Sequence, residues 1–383
     1  MNITYPAILL AVLFPIAFLA FLGSRNMYRT GKFHYILLSM GWGIVAYYLA
    51  VYINTALLHN GWINLDQLKR FGAPIIEEIL KCLIVFYLIR RKDFIYIMDG
   101  IAYGFGAGIG FAVLENIEYV TAAPAGMALA LALARVFSTN IIHATGTAIV
   151  GSALGYSRLA DDTSRIFFPL GGLLFAIVAH AGFNNLVNSN MALTFAFIYT
   201  GIGVFIISMI VRYGLKKASI DIQNSIGMRD SITANEAALV NRVRTLDEAL
   251  KPLTKYFSPN DMTKVKDFLI LQAQLGLQRN NMNNAQDVSL RDGITQEIDS
   301  LKKRIDEVRN DLGPYCMLQV RGLFPENNIP FWAILEQRVP ATGTGRAGGG
   351  VWTNLENRTN PKMRRIIIDE SGKPRESNDV DTK

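Results

Sequence analysis

Glu77, Glu78 and Lys81 stand in one apolar stretch of the chain, Glu115 in a second, Arg135 and His143 in a third, and His180 with Asn184 in a fourth. Carboxylates, imidazoles and amides are the side chains that move protons, activate water and hold developing negative charge. Adjacent carboxylates such as Glu77 and Glu78 do not both ionise easily where water is scarce. One then serves as a base while its neighbour sets the local charge. Glu77 and Lys81 are four residues apart, as are His180 and Asn184, so each pair shares a helix face. Arg135 and His143, eight apart, lie about 80° from each other around one helix and face one cavity. The residues predict no cofactor and no metal, with a metal held by Glu77, Glu115 and the histidines as the minority alternative.

The elements that carry these residues are membrane spans. A span needs about 20 mostly apolar residues to cross about 30 Å of hydrocarbon. Seven stretches qualify: 4–23, 35–58, 73–89, 97–120, 126–156, 166–187 and 192–214. The first is not a cleavable signal, because it lacks a basic leading region and its positive charges follow it. The short segments after spans 1, 3, 5 and 7 carry Arg25, Arg29, Lys32, Arg90, Arg91, Lys92, Arg158, Arg165, Arg212, Lys216 and Lys217. Those after spans 2, 4 and 6 carry only Lys69 and Arg70. That asymmetry predicts an outward N-terminus and a cytoplasmic C-terminal region. The expected fold is all-α: a polytopic membrane bundle of about seven helices over 1–215, then a helical cytoplasmic domain over 216–340 and an unstructured tail over 341–383.

A charge at mid-bilayer costs about 2.5–3.5 kcal/mol even on the lenient insertion scale. Glu77, Glu78, Lys81, Glu115 and Arg135 together oppose insertion by more than about 12 kcal/mol if left in lipid. They must pair, face the bundle interior or line a wet cavity. On the predicted orientation Glu77 and Glu78 come early on an inward-running span, and Glu115, His180 and Asn184 come late on outward-running ones. His143 lies nearer mid-span. Four helices thus bring polar groups to the outer half of the membrane.

Plainer readings stand beside each residue. Pro74 opening the third span puts Glu77 and Glu78 near a helix N-terminus, which favours carboxylates by itself. Lys81 and Arg135 read as counter-ions, and a lone His143 as an interhelical hydrogen bonder. Gly104, Gly106, Gly108 and Gly110 read as close helix packing.

Residues 1–215 contain 13 Lys/Arg and nine Asp/Glu, leaving 25 and 22 for the remainder, so neither half has the charge of a nucleic-acid binder. Cys82 and Cys316 fall in different regions, which excludes a disulfide framework and a zinc ribbon. Beyond 216, Ser258-Pro259 marks a helix start running to about Gln278. Ile294, Ile298, Leu301, Ile305, Val308 and Leu312 form a three-heptad stripe ended by Gly313-Pro314. The stripe suits either a short coiled coil or a helix packed within its own domain. The tail is expected to bind a cytoplasmic partner or to self-associate through Ile294–Leu312.

In order along the chain, Glu77-Glu78-Ile79-Leu80-Lys81 matches an EExxK motif, and Phe111 to Glu115 matches FxxxE followed by Asn116. The stretch from Arg135 to His143 comes next, and His180 to Asn184 matches HxxxN. Over about residues 70–190 the chain resembles the PrsW family of glutamic intramembrane proteases, within the wider superfamily of CAAX prenyl endopeptidases and bacteriocin-immunity proteins. The resemblance implies an endopeptidase of the cytoplasmic membrane with a membrane-embedded protein or peptide as substrate, such as a membrane-tethered anti-sigma factor cut on the outer side. It implies Glu77 as general base, with Glu115 sharing the water at the position where CAAX relatives carry histidine. His180 and Asn184 would form the oxyanion hole, Glu78 and Lys81 would set charge and orientation, and His143 would be an accessory donor. The chain lacks HExxH, GxGD and GxSG, the signatures of other intramembrane protease classes.

Other functions remain in competition. A proton-coupled transporter would need a polar path to both faces, yet span 192–214 has no ionisable residue before Arg212. A retinal protein would need a lysine in a late span, and none is present. A scaffold that retains the motifs without activity is not separable from an enzyme by sequence.

Overall fold

The computed structural model describes residues 4–24, 30–124, 126–160, 162–187, 192–225, 246–255, 257–285, 287–322, 366–368 and 374–376. The chain begins with helices α1 (Thr4–Ser24) and α2 (Phe33–His59). The short α3 (Leu65–Gln67) opens with a capping box, in which the Asn64 side chain accepts from the Gln67 N–H at 2.8 Å. It runs through a π-helical turn, Leu68–Gly72, into α4 (Ala73–Leu88). Pro74 occupies the first turn of α4, where its missing N–H costs nothing. Next come α5 (Ile97–Ala122), α6 (Ala128–Phe137), α7 (Thr139–Ser157), α8 (Asp162–Val187) and α9 (Ala192–Ser225).

Among the described residues, five helical segments are long and apolar enough to cross a membrane: Phe33–His59, Ile97–Ala122, Ala128–Ser157, Thr163–Leu186 and Phe197–Ile222. The other two expected spans correspond to α1, a helix of 21 residues, and to α4, whose 16 residues continue directly from the helical turns of residues 65–72. The span expected over 126–156 is not one continuous helix. Ser138 leaves helical geometry, with φ −124° and ψ −71°, and divides it into α6 and α7.

α5 is the axis of the membrane region, with 89 % of its span buried against 6 % for that of α9. Its glycines explain how neighbours come so close. Cβ atoms at Gly100, Gly104 and Gly108 would overlap backbone of α7 at Gly151, Thr147 and His143. Gly106 and Gly110 instead face α2, at Ile36 and Met40. Two glycine rows, each stepping by about four residues, therefore seat α5 against two helices at once. This packing sets α4, α5, α7 and α8 around one interior space.

The remaining helices are α10 (Leu246–Leu250), α11 (Pro259–Asn284) and α12 (Val288–Gly322). Ser258 caps α11 as its sequence predicts, accepting from the Asp261 N–H at 3.2 Å. Ile294, Ile298, Leu301 and Ile305 are buried against α11 residues such as Phe268 and Leu271, so the heptad stripe is used within the chain. Gly313 takes φ +72° and kinks α12, which continues to Gly322 instead of ending there. α9 runs through residue 215 to Ser225, and the compact unit extends to Glu326. In the second unit, residues 327–383, Ile366–Ile368 pairs antiparallel with Pro374–Glu376, inside the stretch expected to lack structure.

The connection from α4 to α5 is held from two directions. Asn281 and Gln278 of α11 donate to the carbonyls of Ile95 (2.8 Å) and Lys92 (3.3 Å). Arg158, following α7, donates to the carbonyls of Phe94 and Arg91. Burial pushes the Arg158 guanidinium down to about 10, which leaves it charged at neutral pH.

The glycine rows give a direct test. Gly104→Ala is expected to lower unfolding stability in detergent by about 1–3 kcal/mol through overpacking against Thr147. Gly41→Ala, whose new methyl meets nothing within 4 Å, should leave the melting midpoint unchanged or slightly raised.

Candidate functional site

The first turns of α4 bring Glu77, Glu78 and Lys81 to the same end of the bundle as the late part of α5 and the early part of α7. Glu78 and Lys81 are fully buried and joined at 2.6 Å. Glu78 is thus the partner of Lys81, although Glu77 shares its helix face. Lys81 Nζ also lies 2.7 Å from His143 Nδ1 and 4.9 Å above the ring of Phe111, which explains the aromatic residue in FxxxE.

These contacts fix protons. An ammonium group only donates, so His143 Nδ1 accepts from Lys81 and its proton sits on Nε2. That N–H donates to Glu115 Oε2 at 2.8 Å. Arg135 places Nη2 3.0 Å from the same oxygen and stacks 3.8 Å from the ring of Tyr119. His180 donates from Nδ1 to Glu78 Oε1 at 2.8 Å. Its Nε2 is left with a lone pair and lies 3.8 Å from Glu77 Oε2. That carboxylate oxygen is buried and has no hydrogen-bond partner among the described residues. Two acceptors therefore face each other across a gap, which suits a molecule that donates to both.

Seven of the eight residues singled out in the sequence join one connected cluster. Asn184 donates to the Lys69 carbonyl at 3.0 Å. Three further residues belong to the site. Asn116 accepts from Arg135 Nε at 2.8 Å and donates to Asn140 Oδ1 at 2.6 Å. Gly146 faces Glu78 Oε2, which a Cβ there would approach to 3.3 Å. Asn116 followed the FxxxE motif without a role, and Asn140 lies three residues before His143 on the same face of α7. Gly146 carries no chemistry of its own and left no signal.

The site is a buried cluster of carboxylates and imidazoles inside a bundle of membrane-spanning helices. Residues 31–212 match the family model described as PrsW family intramembrane metalloprotease. Protease PrsW of Geobacillus kaustophilus (strain HTA426) is 27 % identical over 161 residues, covering 42 % of this chain and 70 % of the relative. Protease PrsW of Bacillus subtilis (strain 168) is 26 % identical over 171 residues, covering 44 % and 77 %. No solved structure matches the chain. Over residues 31–212 the membrane region is similar to the PrsW family, and these homologues support an intramembrane endopeptidase function for this multi-pass membrane protein.

The family description names a metal, and Glu77, His143 and His180 have ligand atoms within 4.8 Å of one another. Their hydrogen bonds do not fit one. Lys81 holds His143 in the tautomer whose Nε2 carries a proton, so this nitrogen cannot ligate. Glu115 is engaged by His143 and Arg135, and Glu78 Oε1 by Lys81 and His180. Glu77 Oε2, His180 Nε2 and the second oxygen of Glu78 remain, the last buried with no hydrogen-bond partner among the described residues.

Removing Lys81 tests how far the cluster depends on it. Lys81→Met should destabilise the protein by about 3–5 kcal/mol, because Glu78 becomes an unpaired buried charge. Glu78→Gln/Lys81→Met together should recover most of that loss in detergent unfolding experiments, as both charges then leave the interior.

Proposed function

We propose that the protein hydrolyses a peptide bond of a membrane-embedded or membrane-tethered protein with a water activated by Glu77 and no metal. The observation that carries this reading is the buried, unpartnered Glu77 Oε2, with His180 Nε2 3.8 Å away. A water between them is held through both hydrogens with its lone pairs directed away. Glu77 takes one proton as the oxygen bonds to the scissile carbonyl carbon. The carbonyl π electrons move to its oxygen. When the tetrahedral intermediate collapses, the C–N bond breaks and Glu77 returns that proton to the leaving nitrogen. The second proton of the attacking water stays on the new carboxyl group until it passes through His180 or solvent.

Glu78 holds His180 in the tautomer this requires. Lys81 and Glu115 hold His143, and Arg135 keeps Glu115 charged and in place. Low local dielectric strengthens each of these contacts. The Lys/Arg asymmetry supports a C-terminal region in the cytoplasm and a site in the outer half of the cell membrane. A single-span regulator such as an anti-sigma factor, cut near its outer boundary, is the substrate class that matches this depth.

The experiment uses detergent-purified protein and a panel of single-span membrane peptides, with cleavage read by mass spectrometry. Wild type should cleave at least one peptide equally well with and without a strong chelator. Glu77→Gln and His180→Ala should each lose at least about a thousandfold in kcat. Loss of wild-type cleavage on chelation and its return with added zinc would instead make Glu77 and His180 ligands and overturn the assignment of Glu77 as base.

A further inference from the structure

Two cavities lie away from the cluster around Glu77, at the end of the bundle where α7 stops and α8 begins. The first is an apolar groove of about 660 Å³. Ile149 and Ala153 of α7, Phe168 and Phe175 of α8, and Met209 and Ile210 of α9 form its walls. All of them belong to segments long and apolar enough to span a membrane. The second is a cavity of about 380 Å³ where those segments run out. Lys217 and Asp221 of α9 line it together with Asn280, Asn281 and Asn284 of α11. The two cavities adjoin at Ile97 and Tyr156, which border both. The Tyr156 ring stands 4.9 Å from that of Phe168 and 6.2 Å from that of Tyr213.

An apolar groove at hydrocarbon depth beside a polar cavity at the membrane boundary has the polarity of a lipid. The groove lies on the outside of the bundle: Phe167 in its wall is 68 % exposed, and the neighbouring Tyr213 is 52 % exposed. Surrounding lipid therefore reaches it without passing through protein. Half a membrane span of α-helix, about 10 Å across and about 15 Å long, occupies roughly 1,200 Å³ and exceeds the groove. A single acyl chain is slimmer and flexible enough to follow it.

The polar cavity selects the headgroup. Lys217 Nζ holds Asp221 loosely, 3.4 Å from one carboxylate oxygen. Asn281 spends its amide hydrogens on the Ile95 carbonyl and Gln278, and Asn284 spends its own on Asn280. What these two residues have left to offer is oxygen. The lining thus supplies one cation for a phosphate, and a carboxylate with amide oxygens for a donor. A purely anionic headgroup would bring no cation to Asp221. A quaternary ammonium has no N–H to give, whereas a primary ammonium has three.

We propose that the two cavities together bind one phospholipid with a phosphoethanolamine headgroup. An acyl chain fills the groove between α7, α8 and α9, the phosphate meets Lys217, and the ammonium meets Asp221. The bound lipid ties the membrane helices to α11. This site shares no residue with the Glu77 cluster, and its occupancy does not depend on hydrolysis.

The test uses the full chain, stripped of lipid in detergent and titrated with phosphatidylethanolamine, phosphatidylcholine or phosphatidylglycerol of identical acyl chains. Native mass spectrometry counts the bound equivalents. Wild type should saturate with one tight equivalent of phosphatidylethanolamine, its Kd at least about tenfold below those of the other two lipids. That equivalent should also raise the melting midpoint, because it binds only the folded protein. Asp221→Asn should weaken phosphatidylethanolamine about tenfold and erase its advantage over phosphatidylcholine. Lys217→Gln should weaken all three lipids. Gly171 lines the groove, and a Cβ there meets nothing within 4 Å. Gly171→Leu should therefore abolish the tight equivalent while leaving the lipid-free melting midpoint unchanged. The proposal is overturned if lipids add without a break at one equivalent, as boundary lipid does. It is also overturned if phosphatidylglycerol or phosphatidylcholine binds as tightly as phosphatidylethanolamine. Wild-type affinity for phosphatidylethanolamine in Gly171→Leu or Asp221→Asn overturns it as well. Should a variant fail to fold, the stoichiometry and headgroup preference of wild type decide by themselves.

Discussion

Lys81 carries a positive charge with no exposure to solvent, and its two hydrogen bonds organise everything around it. One goes to Glu78, which compensates the charge and in turn orients His180. The other goes to His143, which sets that imidazole's tautomer and sends its remaining proton to Glu115. A buried ammonium without both partners would face a desolvation penalty of several kcal/mol. The same contacts that make it tolerable leave Glu77 and the far nitrogen of His180 unsatisfied. Stability of the cluster and reactivity of its open edge are thus two results of one arrangement.

That arrangement requires helices closer together than ordinary side chains permit. The glycine rows of α5 bring its backbone against α7 on one side and α2 on the other, which draws Glu115 to His143. Gly146 performs the corresponding service beside Glu78, where any larger residue would press on the carboxylate. The break at Ser138 then turns a single predicted span into two helices. It starts α7 within the protein and lets Arg135, on α6, reach back to Glu115 and Asn116. A continuous helix would have left Arg135 and Asn140 on different faces, five residues apart.

The helices beyond the membrane region are tied to it at the α4–α5 connection. Ile95 and Tyr96 enter the core built by α11 and α12, and Asn281 fixes the Ile95 carbonyl. The connection joins the helix that bears Glu77 to the one that bears Glu115. The heptad stripe of α12 is used in the same core, so its apolar period serves packing within the chain.

Much of this was legible in the amino-acid order. Hydrophobic length marked membrane helices because lipid tolerates few alternatives, and isolated charges in those helices marked the site because each is costly to bury. The Ser258 cap was equally plain, since capping depends on a few adjacent residues. Sequence merged α6 and α7 into one span, since the break at Ser138 leaves no mark on their apolar character. Pairing was beyond its reach. Helical spacing linked Lys81 with Glu77, whereas depth of burial and the position of His143 gave it to Glu78. Asn140, Asn116 and Gly146 had ordinary types in unremarkable places. They matter only because α5, α6 and α7 bring them against Arg135 and Glu78. Sequence determined which groups could not remain in lipid; tertiary packing decided which of them neutralise one another and which were left free to react.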